Sequence, residues 1–213
     1  MWLLLLLLSA AHGVRVGGVG MSALTTGATG ITQYHYRTIE VATGTHEADA
    51  PVPSLPTQEI SLHDITPAVR EFIAETGVRQ GTLNLISRHT TTAITINEME
   101  TRLVDDVRDW LFNLAPQDHP YRHNDLHLRP ASGADRDRID KNWMSQGKGT
   151  LEEFMAQEPI NAHSHLMAML LGASEAVPIC DGELCIGQWQ SLILVDLDGP
   201  RNRTVGVQVV GMH

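Results

Sequence analysis

The chain has 213 residues, of which 42% are hydrophobic and 19% are charged, and its formal net charge is −10. This length and composition are typical of one globular domain with a buried core, and they exclude a disordered or membrane-spanning chain. Only 15 residues are lysine or arginine, which excludes a general binder of the nucleic-acid backbone, because that role needs clustered cations.

The N-terminal segment, residues 1–30, is predicted to lie outside the fold. Residues 1–13 contain an apolar run followed by small residues, as in the hydrophobic region of a signal peptide, but they lack a positively charged start. The run is also too short to span a bilayer. We favour translation from Met21, which predicts a cytoplasmic protein; a cleaved leader is the alternative and predicts the secretory pathway.

The first half of the folded part mixes strands and helices. Its residue pattern predicts a strand over residues 33–41 that pairs with a second strand over residues 59–65. Residues 66–77 predict a helix with Thr66 as its N-cap and Gly77 at its end. Two further strands and a long amphipathic helix are predicted over residues 81–88, 91–97 and 99–116.

The second half begins with a polar segment. Residues 117–149 show no stable periodicity, so we expect a long loop there. Thr150 and Glu153 have the spacing of a capping box for a short helix, and a longer helix is expected over residues 159–172. The rest of the chain predicts a C-terminal β-meander.

The two cysteines flank the turn of a predicted hairpin at Asp181-Gly182. This register pairs Cys180 with Glu183 and leaves Cys185 diagonal to Cys180, which is a poor geometry for a disulfide. We therefore expect two free thiols, as in a reducing compartment.

Polar residues along one predicted strand are the strongest sign of a site. Residues 88–98 read RHTTTAITINE, and in one regular strand the odd-numbered residues share a face. His89, Thr91 and Asn97 would then line one side, opposite the apolar Ile94. This pattern is compatible with a binding site and also with a solvated outer face.

Two further histidines lie among polar or small residues. On the predicted helix, Asn161 and His165 are four residues apart and share a face, whereas His163 points about 200° away from His165. His123 lies in a turn-like segment. Three imidazoles can hold zinc and leave a position open for water or substrate. Each histidine alone is equally compatible with a hydrogen-bonded structural role, and the common zinc, nucleotide and hydrolase motifs are missing from the sequence.

Four sequence blocks together resemble the YjbQ family, also called uncharacterised protein family 0047 or the secondary thiamine-phosphate synthase enzyme family. The blocks RHTTTAITINE, YRHND, NAHSHLMAMLLGAS and GQWQSLILVDLDGPRNR follow one another within residues 31–213. Compared with short bacterial members, the chain has an insertion at about residues 124–158. The family pattern falls on His89, Thr90 or Thr91, Asn97, Glu98, Tyr121, His123, Asn161, His165, Gly187, Trp189 and Gln190.

The resemblance implies an α+β fold, with a largely antiparallel β-sheet or sandwich and two or three packed helices. It also implies a homotrimer and a polar pocket around the shared histidines, with a bound divalent metal such as zinc. The family name implies weak thiamine-phosphate synthase activity, which joins a pyrimidine diphosphate to a thiazole phosphate with loss of diphosphate. Arg201 and Arg203 are candidates to stabilise that leaving group, although the carboxylate cluster expected for magnesium-bound diphosphate is not evident.

These observations lead to the hypothesis of a small metal-dependent enzyme, either a thiamine-phosphate synthase-like transferase or a hydrolase. His89, His123 and His165 are the predicted metal ligands; His89, His165 and Glu98 are the predicted catalytic residues, with Glu98 as the acid or base. The alternatives are a non-catalytic trimer that binds a phosphate or carboxylate metabolite, and a structural trimer with hydrogen-bonded histidines. Trp189 also fits a core or interface position. The predicted substrate-binding residues are Thr91, Asn97, Asn161, Trp189, Gln190 and Arg201.

Overall fold

A computed structural model describes residues 14–17, 31–43 and 59–213. Its strands are β1 (Val14–Gly17), β2 (Gln33–Ala42), β3 (Glu59–Asp64), β4 (Gln80–Ser87), β5 (Thr92–Asn97), β6 (Ser174–Cys180), β7 (Glu183–Leu184), β8 (Ser191–Gly199) and β9 (Asn202–Met212). Its α-helices are α1 (Thr66–Thr76), α2 (Thr101–Leu114), α3 (Gly133–Asn142), α4 (Leu151–Gln157) and α5 (Ala162–Leu171).

The strands form two antiparallel sheets. One sheet has the order β1-β2-β9-β4-β6-β7 and the other has the order β3-β8-β5. Apolar side chains from both sheets and from α1 form the main core, for example Val207 of β9, Leu194 of β8 and Phe72 of α1. Each fully buried side chain of this size contributes about 1.5–3 kcal/mol. The predicted α+β class with antiparallel sheets is confirmed.

Two predictions about strand pairing are wrong. β2 lies between β1 and β9, and β3 pairs with β8, so β2 and β3 are not neighbours. The C-terminal strands do not form a meander, because β8 and β9 are consecutive along the chain but belong to different sheets. The turn at residues 200–201 therefore carries the chain from one sheet to the other.

β8 is buried along almost its whole length. Leu194 belongs to the main core, and the neighbouring Ile193 is equally inaccessible. The helix α5 also contacts this strand, since the Ser164 hydroxyl donates to the carbonyl of Leu197 (2.6 Å). Burial of successive residues explains why residues 192–195 of β8 are all apolar rather than alternating with polar ones.

The first described strand lies in the segment expected to precede the fold. β1 pairs with β2, with Val14 opposite Val41, so residues 14–17 belong to a sheet although the prediction began the fold at residue 31. The sequence alternation Val14, Arg15, Val16 is typical of a strand. The favoured start at Met21 and the alternative leader, residues 1–13, lie outside the described residues.

The two predicted N-terminal helices are present. α1 begins at Thr66 after the N-cap residue Ile65, one residue earlier than predicted, and it ends at Gly77 in a left-handed conformation (φ 70°). Along α2, Leu111 is buried, whereas Trp110 is 53% exposed, so the apolar face of this helix is only partly covered. No helix in the described part of the chain is long and apolar enough to cross a membrane.

Residues Ala115–His163 form a compact unit of their own. The loop predicted for residues 117–149 instead contains α3 and several short 3-10 turns. Before α4, the predicted capping box of Thr150 and Glu153 is confirmed, because each side chain accepts a hydrogen bond from the other residue's backbone N–H. Trp143 and Phe154 meet edge to face with ring centroids 5.6 Å apart, which links α4 to the end of α3.

Candidate functional site

A cavity of ≈ 530 Å³ lies at one end of the three-stranded sheet. This volume is within the range of small-molecule sites. The end of β3, the turn between β5 and α2, and the segment before β8 form its walls. We call it the Glu98 cavity; its main polar and aromatic side chains are those of His63, Asp64, Glu98, Glu100, Trp189 and Gln190. Three predicted site residues, Glu98, Trp189 and Gln190, therefore come together.

Strand pairing explains why these distant segments meet. β8 lies between β3 and β5 and runs antiparallel to both, with Asp64 opposite Ile193 and Asn97 opposite Ser191. The ends of β3 and β5 therefore lie beside the start of β8. The hydroxyl of Ser191 donates to the Asp64 carboxylate (3.2 Å), which ties two walls of the cavity together.

Hydrogen bonds to the backbone orient two polar side chains of the cavity. Asp64 accepts a hydrogen bond at Oδ1 from the backbone N–H of Thr66 (2.8 Å). Gln190 accepts one at Oε1 from the backbone N–H of Gly187 (2.7 Å), and the backbone N–H of Gln190 donates to the Gly187 carbonyl (3.0 Å). The segment with Trp189 is therefore a closed turn, and the Trp189 side chain on it is 71% exposed.

Glu100 lies where the cavity meets the start of α2. Its two carboxylate oxygens accept hydrogen bonds from the backbone N–H groups of Arg102 (3.0 Å) and Leu103 (2.8 Å). These bonds stabilise the charged form, so the pKa of Glu100 lies below its usual value. Glu100 therefore adds a fixed negative charge to the cavity wall at neutral pH.

His63 is the one imidazole that lines the Glu98 cavity within the part of the chain that the structure describes. Its Nε2 hydrogen-bonds the Ser61 hydroxyl (2.9 Å). Burial lowers the pKa of His63, with a further lowering by Arg108 that the charge of Asp196 opposes. A neutral imidazole is a proton acceptor at neutral pH, so His63 and Glu98 supply the cavity with two groups capable of proton transfer.

The lowered pKa of His63 makes stability depend on pH. Just below pH 6.5, the value for a free histidine, the unfolded chain binds more protons than the folded chain, so stability falls as pH drops through this window. We expect His63→Asn to reduce this loss by a few tenths to about 1 kcal/mol, measured by urea unfolding at about pH 7.5 and about pH 5.5. The exposed His127→Asn is the control, and an NMR titration midpoint of His63 above 6.5 would contradict the expectation.

His89 and Thr91 do not lie on a regular strand. β4 ends at Ser87 and β5 begins at Thr92, so residues 88–91 form a turn and the predicted shared face of residues 89–97 is wrong. The Nε2 atom of His89 accepts a hydrogen bond from the backbone N–H of Thr204 (2.8 Å), which fixes this turn to β9. Burial and the nearby Arg203 lower the pKa of His89, so the imidazole is neutral at neutral pH.

Thr91 belongs to a buried polar network around Arg203. The guanidinium donates from Nε to Asp196 Oδ2 (2.9 Å) and from Nη2 to Asp196 Oδ1 (2.6 Å), and Nη2 also lies 3.3 Å from the Thr91 hydroxyl. Thr43 donates to the same carboxylate. Asp196 is 0% exposed and Arg203 is 3% exposed. Arg203 is therefore an internal residue, unlike the neighbouring Arg201, which is exposed and pairs with Asp198 (3.2 Å).

His123 and Asn161 come together within the unit Ala115–His163. Their side chains hydrogen-bond each other, and burial together with Arg129 lowers the pKa of His123 against the opposing effect of Asn161. On α5, His163 is completely buried while His165 is half-buried. This difference agrees with the prediction that the two histidines of α5 face different directions.

The described residues form no cluster of metal ligands. Across residues 14–17, 31–43 and 59–213, no three side chains of His, Cys, Asp or Glu are arranged to hold a metal ion. The lone pair of His89 Nε2 already accepts the N–H of Thr204 (2.8 Å), so His89 does not fit a metal ligand through that atom. The three-histidine metal centre stays a prediction.

His63, Asp64 and Glu100 line the cavity but were not among the predicted site residues. His63 and Asp64 end a strand that reads as an ordinary half-buried strand, and they reach the cavity only because β3 pairs with β8. The available signal was weak: two adjacent ionisable residues directly before a helix start. Glu100 lies within the helix predicted over residues 99–116, where no role in a site was predicted for it.

Comparisons with known proteins identify the class to which this fold and site belong. The family model described as "UPF0047 protein YjbQ-like" matches residues 53–212, and the chain belongs to this family. A UPF0047 protein of Methanothermobacter thermautotrophicus is 37% identical over 160 residues, which cover 75% of this chain and 90% of that protein. YugU of Bacillus subtilis is 27% identical over 156 residues, covering 73% and 93%.

Solved structures agree with the fold. A YbjQ-like protein of unknown function from Sulfolobus solfataricus superposes with a TM-score of 0.60 at 25% identity, covering 84% of this chain and 99% of that one. A hypothetical protein from Aeropyrum pernix gives a TM-score of 0.58 at 26% identity, covering 83% and 98%. The predicted family membership is confirmed.

Proposed function

We propose that the chain is an enzyme of the YjbQ family that acts on a small molecule in the Glu98 cavity. The observation that supports this is the convergence of Glu98, His63 and Trp189 from three separate segments on one cavity of ≈ 530 Å³. A carboxylate and a neutral imidazole provide proton transfer, and an exposed indole provides a surface for a flat ring. In this proposal Glu98 is the acid or base and Gln190 orients the substrate.

The charges of the cavity favour a particular ligand chemistry. Asp64, Glu98 and Glu100 place three carboxylates on its walls, and the Trp189 ring is 71% exposed beside them. Carboxylates and an indole face both attract cations, so a flat, positively charged or amino-substituted heterocycle is the favoured ligand. The alternative predicted from the sequence, a phosphate or carboxylate metabolite, would meet like charges here.

Thiamine-phosphate synthase chemistry is a finer proposal for the same cavity. Its pyrimidine and thiazole rings are flat nitrogen heterocycles of the kind that Trp189 can stack on. The carboxylates at Asp64 and Glu98 disfavour the diphosphate leaving group, which is a physical reason to expect slow turnover. A metal held by His123 or His165 stays a prediction of the sequence, and elemental analysis of the purified protein beside its His165→Ala variant checks it.

The test compares two tryptophan variants with a thiazolium probe. Thiamine is a flat cation, and we expect it to quench the fluorescence of the wild-type protein. Trp189→Phe should weaken this binding about tenfold, because a phenyl ring forms a weaker stacked cation–π contact than an indole. Trp110→Phe, which replaces an exposed tryptophan on α2, should leave the binding unchanged. Equal binding by the wild type and Trp189→Phe would contradict the assignment of the cavity.

A turnover assay separates enzyme from binding protein. With the pyrimidine diphosphate and the thiazole phosphate as substrates, Glu98→Gln should lower turnover about 10²–10⁴-fold if Glu98 is the acid or base. The control is Glu71→Gln on the exposed side of α1. Thiamine binding with no product under any condition would favour the non-catalytic alternative.

We also propose that copies of the chain associate through the outer face of the six-stranded sheet. Strand register places three rows of four side chains on this face, and Tyr34, Tyr36 and Ile86 on it are 51%, 39% and 51% exposed. None of the twelve is charged, in a chain of net charge −10. These twelve residues are Tyr34, Val210, Thr82 and Pro178; Tyr36, Gln208, Asn84 and Ala176; and Thr38, Gly206, Ile86 and Ser174; the next residue of β2 on the same side, Glu40, is exposed and charged.

This composition supports self-association into the trimer predicted from the family resemblance. Interface cores are depleted in charge and enriched in tyrosine, and the negative charge elsewhere on each copy opposes other contacts.

The proposal also includes a reducing compartment such as the cytoplasm, which the free thiols of Cys180 and Cys185 support.

A further inference from the structure

The two cysteines share one face of the hairpin formed by β6 and β7. Cys180 pairs with Glu183 as predicted, and the backbone N–H of Cys185 donates to the Pro178 carbonyl (2.9 Å). Side chains two residues apart on a strand point the same way, so Cys180 and Cys185 are diagonal neighbours on one face. Both thiols are free, as predicted, and both residues are exposed to solvent.

The two thiol groups touch in this arrangement. Cys185 hydrogen-bonds the thiol of Cys180, and this contact, together with the negative charge of Asp181, raises the pKa of Cys180. A diagonal pair on an ideal hairpin is spaced slightly too widely for a disulfide. Bond formation therefore needs a small shift of one cysteine toward the other.

Cys185 is the cysteine that can make this shift, because it follows a short edge strand. β7 has two residues and is the edge strand of its sheet, with β6 as its neighbour. The segment that follows, residues 185–190, belongs to no strand and is held by short turn contacts such as the bond from the N–H of Ile186 to the Leu184 carbonyl (2.9 Å). Short edge elements with few backbone bonds are the parts of a fold that rearrange at low free energy.

We propose that Cys180 and Cys185 form a reversible intrachain disulfide by exchange with a low-molecular-weight disulfide. One cysteine thiolate attacks a sulfur of the small disulfide, which breaks the S–S bond and releases one small thiolate. The second cysteine then attacks the sulfur of the first cysteine in this mixed disulfide and releases the second small thiolate, and both released thiolates take up the two protons that the cysteines lost. The protein is oxidised by two electrons, and the small disulfide is reduced to two thiols.

The position of the pair connects this reaction to the Glu98 cavity wall. Cys185 opens the segment that carries Gln188, Trp189 and Gln190, all of which line the cavity. A shift of Cys185 toward Cys180 displaces the N-terminal end of this segment. We therefore expect the environment of the Trp189 ring to change on oxidation, whatever the cavity binds.

The test treats the purified full chain with oxidised glutathione and follows it by mass spectrometry and thiol titration. The wild type should lose both thiols, gain no adduct and lose about 2 Da, and dithiothreitol should reverse the change. Cys180→Ser and Cys185→Ser should each keep one glutathione adduct, because no second thiol resolves it. Stable adducts on both cysteines of the wild type, or disulfides between chains, would overturn the proposal.

Fluorescence then tests the connection to Trp189. Oxidation should change the emission of the wild type, and Trp189→Phe should abolish this change, while Cys180→Ser should show none. A complete intrachain disulfide that leaves the emission unaltered would overturn the connection. Neither readout uses a cavity ligand, so both results are independent of the proposed enzyme activity.

Discussion

Arg203→Met should destabilise the protein by about 3–5 kcal/mol, because the substitution leaves the carboxylate of Asp196 buried without its counter-charge. Asp196 is 0% exposed, and Arg203 donates two hydrogen bonds to it (2.6 and 2.9 Å). The measurement is the free energy of unfolding in urea at neutral pH. This loss is a large fraction of the total stability of a typical domain.

A double variant shows how much of the lost stability comes from the unpaired charge and how much comes from lost packing. Asp196→Leu combined with Arg203→Met removes both charges, so it should recover most of the stability that either single variant loses. Arg70→Met is the control: Arg70 and Glu183 are both exposed and pair at 3.3 Å, so the loss should be within about 1 kcal/mol. A single Arg203→Met variant as stable as the wild type would show that the pair is not desolvated.

Ile86→Glu should dissociate the assembly that we propose for the outer face of the six-stranded sheet. The side chain is 51% exposed in the single chain and lies on this face between Gly206 of β9 and Ser174 of β6. Burying an unpaired carboxylate in an interface costs about 3 kcal/mol or more, which weakens association roughly 100-fold. Light scattering after size-exclusion chromatography should show the mass fall from that of a trimer to the 23.4 kDa of one chain.

A second exposed apolar residue provides the control for this experiment. Met169 on α5 is 77% exposed and is not part of the outer face, so Met169→Glu should keep the trimer. Tyr36→Glu repeats the test on another row of the face, and thermal unfolding checks that each variant is folded. A wild type that is monomeric, or dissociation by Met169→Glu alone, would contradict the proposed interface.

Local patterns predicted several elements correctly. The helix that ends at Gly77, the capping box of Thr150 and Glu153, and the pairing of Cys180 with Glu183 all depend on residues close in the chain. Such short-range signals are set by backbone conformation and hydrogen bonding within a few residues. The sequence alone was therefore sufficient for them.

Pairing between distant segments was not predictable in the same way. The apolar run of β8 gives no sign that β9 crosses to another sheet or that β3, rather than β2, lies beside it. The family pattern included Glu98, Trp189 and Gln190 but did not include His63. His63 reaches the same cavity only because β3 pairs with β8, which the pattern did not reveal. An alternating pattern of polar and apolar residues shows on which face of a strand each side chain lies, but it does not show which strands pair with that strand.

His89 shows how a local break changes the interpretation of a motif. Its alternation with Thr91 suggested one continuous polar face, but the chain turns between Ser87 and Thr92, and His89 accepts the N–H of Thr204 instead. Its position near the start of a strand gave no warning of that partner, which lies 115 residues further along the chain. A histidine in a motif can therefore be a structural acceptor as well as a ligand.

The position of β9 has a consequence for synthesis of the protein. β9 lies between β2 and β4, and its buried Val205, Val207 and Val209 belong to the core, yet it follows all the other strands of the described residues. A growing polypeptide on the ribosome therefore holds β2 and β4 with two unsatisfied edges until residues 202–212 emerge. Such edges are prone to intermolecular pairing, so nascent chains of this protein should be prone to aggregation until β9 pairs with both strands.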